Sequence, residues 1–445
     1  MNEYKFPVVY PNSAGIDLGS TSHWVAAFPG SCEKPIRSFG SFTCDLTAMA
    51  LWLKELGVTH TVMEATGPHW FQVYESLQAH GIHADLVDPR SVSRLPGRKK
   101  TDRIDSSGLQ RMYACGMLSP CFVPSAEILA LRTYHRRRQS LVESCSQQIL
   151  MFQQSLTLMN VQIHHVLSDV TGVSGMRMLR AIVSGERDGK VLAAMRDKRV
   201  KASEEDIVKS LEGNWAPEHL YCLKQSLAIY DMLCEQLADT DRQIALELAR
   251  LSQSQNKPAK TLTPHKKQPR FELRTYLEEL TGCDLTQVEG FEVLTALSLV
   301  SELGTDLSRF PTAKHFTSYL GLCPNNRITG GKVRSRRSAH VSSAAAKSFR
   351  LAAHSLHRSR SYLGAFLRSV AARRGMPKAI TATARKLAER YYMLMTKGGQ
   401  YMMQSQQHFE KVHVERRLKR LQKAAADLGL TLTELAANPE LGVVS

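Results

Sequence analysis

No apolar run in these 445 residues approaches the roughly 18 that cross a bilayer, so the sequence offers no membrane-spanning helix. Cysteine pairing is missing as well. The nine cysteines (Cys32, Cys44, Cys115, Cys121, Cys145, Cys222, Cys234, Cys283, Cys323) are scattered and none forms a C-x-x-C pair, which argues against a zinc site or a disulfide framework. The opening residues, Met1 to Phe6, lack the basic-then-apolar order of a secretory leader, and the expected location is cytoplasmic. Acidic residues are in short supply: 41 against 58 basic ones, a net charge of +17 and a pI near 9.5. With 43% hydrophobic and 22% charged residues the chain reads as globular, and its length implies two or three domains.

A positive field of that size attracts polyanions, and nucleic acid is the commonest partner. The basic residues also come in groups: Arg98-Lys99-Lys100, Arg136-Arg137-Arg138, Arg334 with Arg336-Arg337, Arg373-Arg374, and Arg416-Arg417 with Lys419-Arg420. One such group is ordinarily a solvated helix face. Five, spread over the chain, suggest a long contact track.

Residues 1–125 read as alternating strands and helices. Ala14 to Leu18 and His23 to Phe28 suggest two strands joined at Gly19-Ser20, with a third from Ile36 to Phe42. Asp45 is the expected N-cap of a helix from Leu46 to Leu56. His60 to Met63 is a short strand ending at Glu64, Pro68 opens a helix to about His80, and Ala84 to Val87 is another strand. Asp102 to Met117 has helical spacing, with Ile104, Leu109 and Met112 on or near one stripe. The expectation is a mixed α/β sheet.

Residues 126–252 are long helical patterns. Tyr230, Leu233, Leu237, Ile244 and Leu248 fit a helix packed on another helix, either a coiled coil with a second subunit or a partner within the chain. Residues 253–270 read as a polar, basic linker, 271–403 as a second compact and mostly helical unit, and 404–445 as a basic helical tail.

Four acids stand out. Asp17 lies on a strand in Gly15-Ile16-Asp17-Leu18-Gly19-Ser20-Thr21, and Glu64 ends a strand in Met63-Glu64-Ala65-Thr66-Gly67-Pro68. Asp102 and Asp105, in Arg98-Lys99-Lys100-Thr101-Asp102-Arg103-Ile104-Asp105, stand three apart on one helix face. Singly, each has an ordinary reading as a turn former, cap or solvated residue. Together they form an all-oxygen set suited to Mg²⁺ or Mn²⁺, and a pair of such ions stabilises the charge that develops when a phosphodiester is cut.

These three signatures resemble the DEDD transposases of the insertion sequence 110 family, and most nearly its 1111 subgroup. The resemblance implies a ribonuclease H-like (RuvC-like) N-terminal domain, a long helical or coiled-coil segment and a mostly α C-terminal transposase domain. It makes Asp17, Glu64, Asp102 and Asp105 the catalytic metal ligands, with Mg²⁺ (or Mn²⁺) as cofactor. Beside them Lys99, Lys100 and Arg103 would contact phosphates, a solvated role being the alternative.

Further along, Val288-Glu289-Gly290-Phe291 is a glycine-centred turn, either a grip on a DNA backbone or a plain connection between helices. Then comes Leu320-Gly321-Leu322-Cys323-Pro324-Asn325-Asn326-Arg327-Ile328-Thr329-Gly330-Gly331-Lys332. In the family a serine before the glycine attacks DNA; here Thr329 holds that place. Its extra methyl restricts χ1 and crowds attack. Thr329 therefore reads as a working nucleophile, a weakened one, or a bystander to Ser335 or Ser338. Lys332, Arg334, Arg336 and Arg337 would stabilise the phosphorane in each case.

The resemblance thus implies a transposase or site-specific recombinase of a mobile element. Its carboxylates and its hydroxyl would form a composite active site, and its partners would be element and target DNA, a guide RNA made by the element, and further copies of itself as a dimer or tetramer. Two other readings are a structure-specific (Holliday-junction-type) endonuclease without strand transfer, and a decayed transposase that only binds nucleic acid.

Overall fold

The computed structural model describes residues 7–65, 67–92, 102–252, 271–324, 326–335 and 343–398, with Pro269, Ser338, Val341 and parts of 415–431. It falls into two compact units, Met1–Val123 and Pro124–Ser445. Lys99, Lys100, Arg336, Arg337, nearly all of the expected linker and much of the tail lie outside the described residues.

In the first unit β1 (Ser13–Leu18), β2 (Ser22–Ala26) and β3 (Ile36–Gly40) form an antiparallel meander. On the other side of β1, β4 (His60–Glu64) and β5 (His83–Val87) run parallel to it. The order β3-β2-β1-β4-β5, with these directions, fits a ribonuclease H-like domain.

The period-2 alternation of the strands gives the sheet two different faces. Ala14, Ile16, Met63 and Leu86 face α1 (Thr43–Glu55) and α2 (Trp70–Ala79), where they join Met49, Leu53 and Leu77 in one core. Val62 and Val87 face the other way. A short helix α3 (Pro89–Val92) and then α4 (Asp102–Ala114) follow, and Leu109, Met112 and Tyr113 cover that second face.

Two expectations need correction here. Asp45 is not the N-cap of α1. Phe42 is, in an extended conformation, and Asp45 sits in the first turn with its carboxylate accepting the Phe42 amide at 3.2 Å. An acid in that position satisfies an orphan N–H from inside the helix, so the helix begins earlier than its apolar pattern. Ile104 is 42% exposed rather than in the stripe. Five residues before Leu109 it lies about 140° around the helix, off the buried side.

Among the described residues the second unit is helical apart from one small hairpin. α5 (Ala126–Leu158) and α10 (Pro217–Ser252) pack against each other, joined in their middle by a buried ion pair, Arg138 Nε to Asp241 Oδ1 at 2.6 Å. Between them α6 (Ile163–Val166), α7 (Val173–Val183), α8 (Gly189–Ala194) and α9 (Glu204–Ser210) close a separate core, in which Phe152, Leu156, Leu179, Ile182, Ile207 and Leu223 are buried.

Beyond lie α11 (Leu273–Thr281), α12 (Val293–Leu303) and α13 (Ala313–Tyr319). Then follow β6 (Arg327–Thr329), β7 (Lys332–Ser335), α14 (Ala344–Ser355), α15 (Tyr362–Arg374) and α16 (Met376–Lys397). α12 is almost wholly buried, beside an aromatic cluster of Phe291, Phe316, Phe349 and Tyr391. The base of α5 is tied to the end of α12. Arg132 donates to the carbonyls of Ser301 (3.2 Å) and Glu302 (2.7 Å), and Arg136 grips the buried Glu302 carboxylate with two hydrogen bonds (2.8 and 2.9 Å).

The Gly290 turn serves packing. The Phe291 amide donates to the Val288 carbonyl, Glu289 pairs with Arg390, and a Cβ on Gly290 would lie 2.9 Å from the Ala352 carbonyl oxygen. No described helix is long and apolar enough to cross a membrane, and the nine cysteines are free.

Candidate active site

The acids gather at one end of the sheet because of where α4 lies. Gly15 on β1 faces α4 so closely that a Cβ there would stand 2.4 Å from both the Gln110 amide nitrogen and the Ser106 carbonyl oxygen. The helix is held in place by Gln110, whose Nε2 donates to the Ser13 carbonyl (3.3 Å), and by Tyr113, whose Oη donates to Asp85 Oδ2 (2.7 Å). Two residues past Gly15, on the same face, comes Asp17. The first turn of α4, with Asp102 and Asp105, lies ahead of Ser106 toward that end.

Electrostatics report the same arrangement. The Asp17 carboxyl is pushed up to about 6, first by burial and then by repulsion from Asp102 and Asp105, against a smaller opposing hydrogen bond from the Leu18 amide. Both aspartates of the D-x-x-D pair therefore act on Asp17. Glu64 reaches the same region by strand pairing. Ile16 stands opposite Met63 in the parallel β1–β4 ladder, so Asp17 and Glu64 occupy the next position on neighbouring strands. Glu64 is opposite Val87, on the face that α4 covers.

As the side chains lie, no three His, Cys, Asp or Glu among the described residues stand close enough to hold a metal ion. The donor chemistry nevertheless suits a hard divalent cation, because the acids are oxygen ligands and Asp17 has an ionised form disfavoured by its neighbours. Such a cation would relieve that repulsion.

Gly15 gives a test of this framework. Since the atoms it meets are backbone, Gly15→Ala is expected to push α4 outward and destabilise the protein by roughly 1–3 kcal/mol, the usual range for overpacking. Urea unfolding measures it, and an unchanged midpoint would show that α4 does not lie as close as described.

Thr329 lies in the second unit, at the end of β6 and exposed. The expected region holds a hairpin that the sequence reading did not anticipate. Gly330 (φ +57°) and Gly331 (φ +73°) form a two-residue turn that needs left-handed backbone at both positions. A Gly-Gly pair between Ile-Thr and Lys-Val was the available signal. The antiparallel register sets Lys332 directly opposite Thr329, and an ammonium group is a natural companion for phosphate at that hydroxyl. Arg334, two residues along, is exposed as well. Ile328 pairs with Val333.

Comparison with known proteins gives two family matches. The DEDD transposase model of the insertion sequence 110 group, described as a transposase, matches residues 14–161. A model described as transposase of the IS116/IS110/IS902 family matches residues 284–368. A curated protein of Sinorhizobium fredii (strain NBRC 101917 / NGR234), named "Putative transposase y4qE", is 27% identical over 135 residues, which is 29% of this chain and 34% of that protein. The chain thus spans about a third of the length of the curated relative it matches.

The two family matches place the chain in the class of transposases. Within that class, the two matched segments, which together cover more than half of its length, show that it belongs to the IS110 family.

Proposed function

We propose that this protein cuts and rejoins DNA at the ends of a mobile element, using Asp17, Glu64, Asp102 and Asp105 to seat divalent cations and Thr329 as a hydroxyl nucleophile. The observation that carries this reading is the juxtaposition of Asp17 with Asp102 and Asp105, with Glu64 at the next position of the adjacent strand. Mg²⁺ or Mn²⁺ bound there would neutralise the charge that builds on the phosphate and its leaving oxygen.

The protein's own residues supply the rest. Thr329 Oγ attacks phosphorus, so an Oγ–P bond forms while the bond from phosphorus to a sugar oxygen breaks. The Oγ proton is lost to solvent, and the departing oxygen takes one up. Attack by a strand hydroxyl on the same phosphorus reverses these bonds and frees Thr329, joining new DNA. Lys332 stands across the hairpin, where its charge opposes that of the phosphate.

The net charge of +17 suits a partner of high negative charge, and the reading extends to a guide RNA and to a homo-oligomer working in the cytoplasm. The test is to quench a reaction on element-end DNA under denaturing conditions and look for protein covalently attached to DNA. An adduct mapped to Thr329 supports the reading. Cleavage with no adduct would favour a water-using endonuclease and remove the hydroxyl from the mechanism.

A further inference from the structure

One face of α4 is unaccounted for by the carboxylates. Along it run two parallel rows at i, i+4 spacing: Arg103, Ser107, Arg111, and beside them Ile104, Gly108, Met112. With Ile36 of β3 they line an open groove of about 500 Å³. Ile36 belongs to the sheet face that α4 covers, since it pairs with Ala26, two residues from Trp24, and Trp24 pairs with Asp17.

The composition of the groove is unusual for a helix exterior. Ile104 is 42% exposed. Gly108 sits mid-helix, where glycine costs about 1 kcal/mol relative to alanine, and its missing side chain keeps the floor low between Ile104 and Met112. Neither Arg103 nor Arg111 has an ion-pair partner among the described residues. Two unpaired guanidinium groups, eight residues apart, are separated by roughly 12 Å along the helix, far enough apart to meet different phosphates of one strand.

We infer that this groove holds a single sugar–phosphate strand, its phosphates on Arg103 and Arg111 and its sugars against Ile36 and Ile104. The inference rests on the proposed function, because the groove starts on the same helix as Asp102 and Asp105 and leads away from them. A strand cut at the carboxylates has this groove as its track. Arg111 is thereby a positioning residue that the basic runs of the sequence do not pick out, since it stands alone. A protein helix of the same chain is the occupant less suited to the groove, because both unpaired charges on its rim are positive.

The experiment measures binding of a short fluorescein-labelled single strand to the full-length protein in EDTA, by anisotropy, once with DNA and once with RNA of the same sequence. Arg111→Ala should weaken binding about three- to tenfold and lower the slope of log K against log salt by about 1. Gly108→Leu, which fills the groove without altering charge, should weaken it to a similar degree while the far-ultraviolet spectrum stays helical. Lys54→Ala, which removes one exposed charge from α1 across the sheet, should change neither. Whichever of the two probes responds names the strand.

Wild-type affinity in both groove variants, or an equal loss in Lys54→Ala, would overturn the inference. Because no metal is present, the result is independent of cleavage. If Asp17→Asn still cuts DNA, the carboxylate reading fails and the groove measurement stands by itself.

Discussion

Asp17→Asn is expected to reduce DNA cleavage by at least about 10³-fold while leaving DNA binding within a few-fold of the wild type, because it removes a ligand charge without changing side-chain volume. Cleavage of labelled element-end DNA in Mg²⁺ checks this, and substantial residual cutting would dismiss Asp17 as a ligand.

The same substitution carries a second signature, readable without substrate. The Asp17 carboxyl stands at about 6 instead of its ordinary 3.8. Below pH 3.8 it is neutral in folded and unfolded chains alike. Its favourable effect on folding is fully present there and is lost as pH rises through 6, where the fold must carry an ion that burial, Asp102 and Asp105 all disfavour. In EDTA, Asp17→Asn should therefore unfold at a higher temperature than the wild type at pH 8, with the difference vanishing near pH 4. Added Mn²⁺ should reverse the order at pH 8, since the wild type binds it with four carboxylates and the variant with three. Cation affinity of the wild type should fall as pH drops through 6, where proton and metal compete for one carboxylate. A flat pH profile would indicate that Asp17 is far from the bound cation.

Thr329→Ala is expected to abolish strand transfer together with the covalent adduct, a loss of at least about 10³-fold, whereas Thr329→Ser retains or raises it. The asymmetry follows from the side chain. Both residues offer a hydroxyl on Cβ, secondary in threonine and primary in serine, and serine lacks the methyl that limits χ1 and crowds an approaching phosphate. The hairpin should survive either change, because its turn is set by Gly330 and Gly331. Full recombination by the alanine variant would transfer the role to another hydroxyl. Ser335, half-buried on β7, and the exposed Ser338 are the next to replace.

The sheet was legible because its strands are short apolar segments bounded by turn residues, and because Asp17 stands at the next-to-last position of its strand and Glu64 at the last of its own. That alternation and those strand ends survive folding unchanged. What could not be read was three-dimensional closeness. Nothing in the local pattern around Gly15 says that Ser106 and Gln110 of a distant helix will rest on it, yet that contact sets where Asp102 and Asp105 stand. Asp45 misled because an acid can serve a helix start from outside or from within the first turn. Ile104 misled because apolar residues were read as core, when one of them lines an open groove. The Thr329 hairpin was missed for a different reason. Its strands hold only three and four residues, too few for alternation to register, and only the paired glycines announced it.

The fastening of α5 has a mechanical side. Arg132 and Arg136 pin its first turns to the end of α12, while its far end carries the small core built from α6 to α9. With 33 residues, α5 is about 50 Å long. A tilt of roughly 5° at the pinned root would swing the far end by about 4 Å, enough to break or remake a hydrogen-bonded contact there. The helix pair is thus an arm whose reach is governed from its root, and loosening Glu302 would alter what the tip touches without altering the tip.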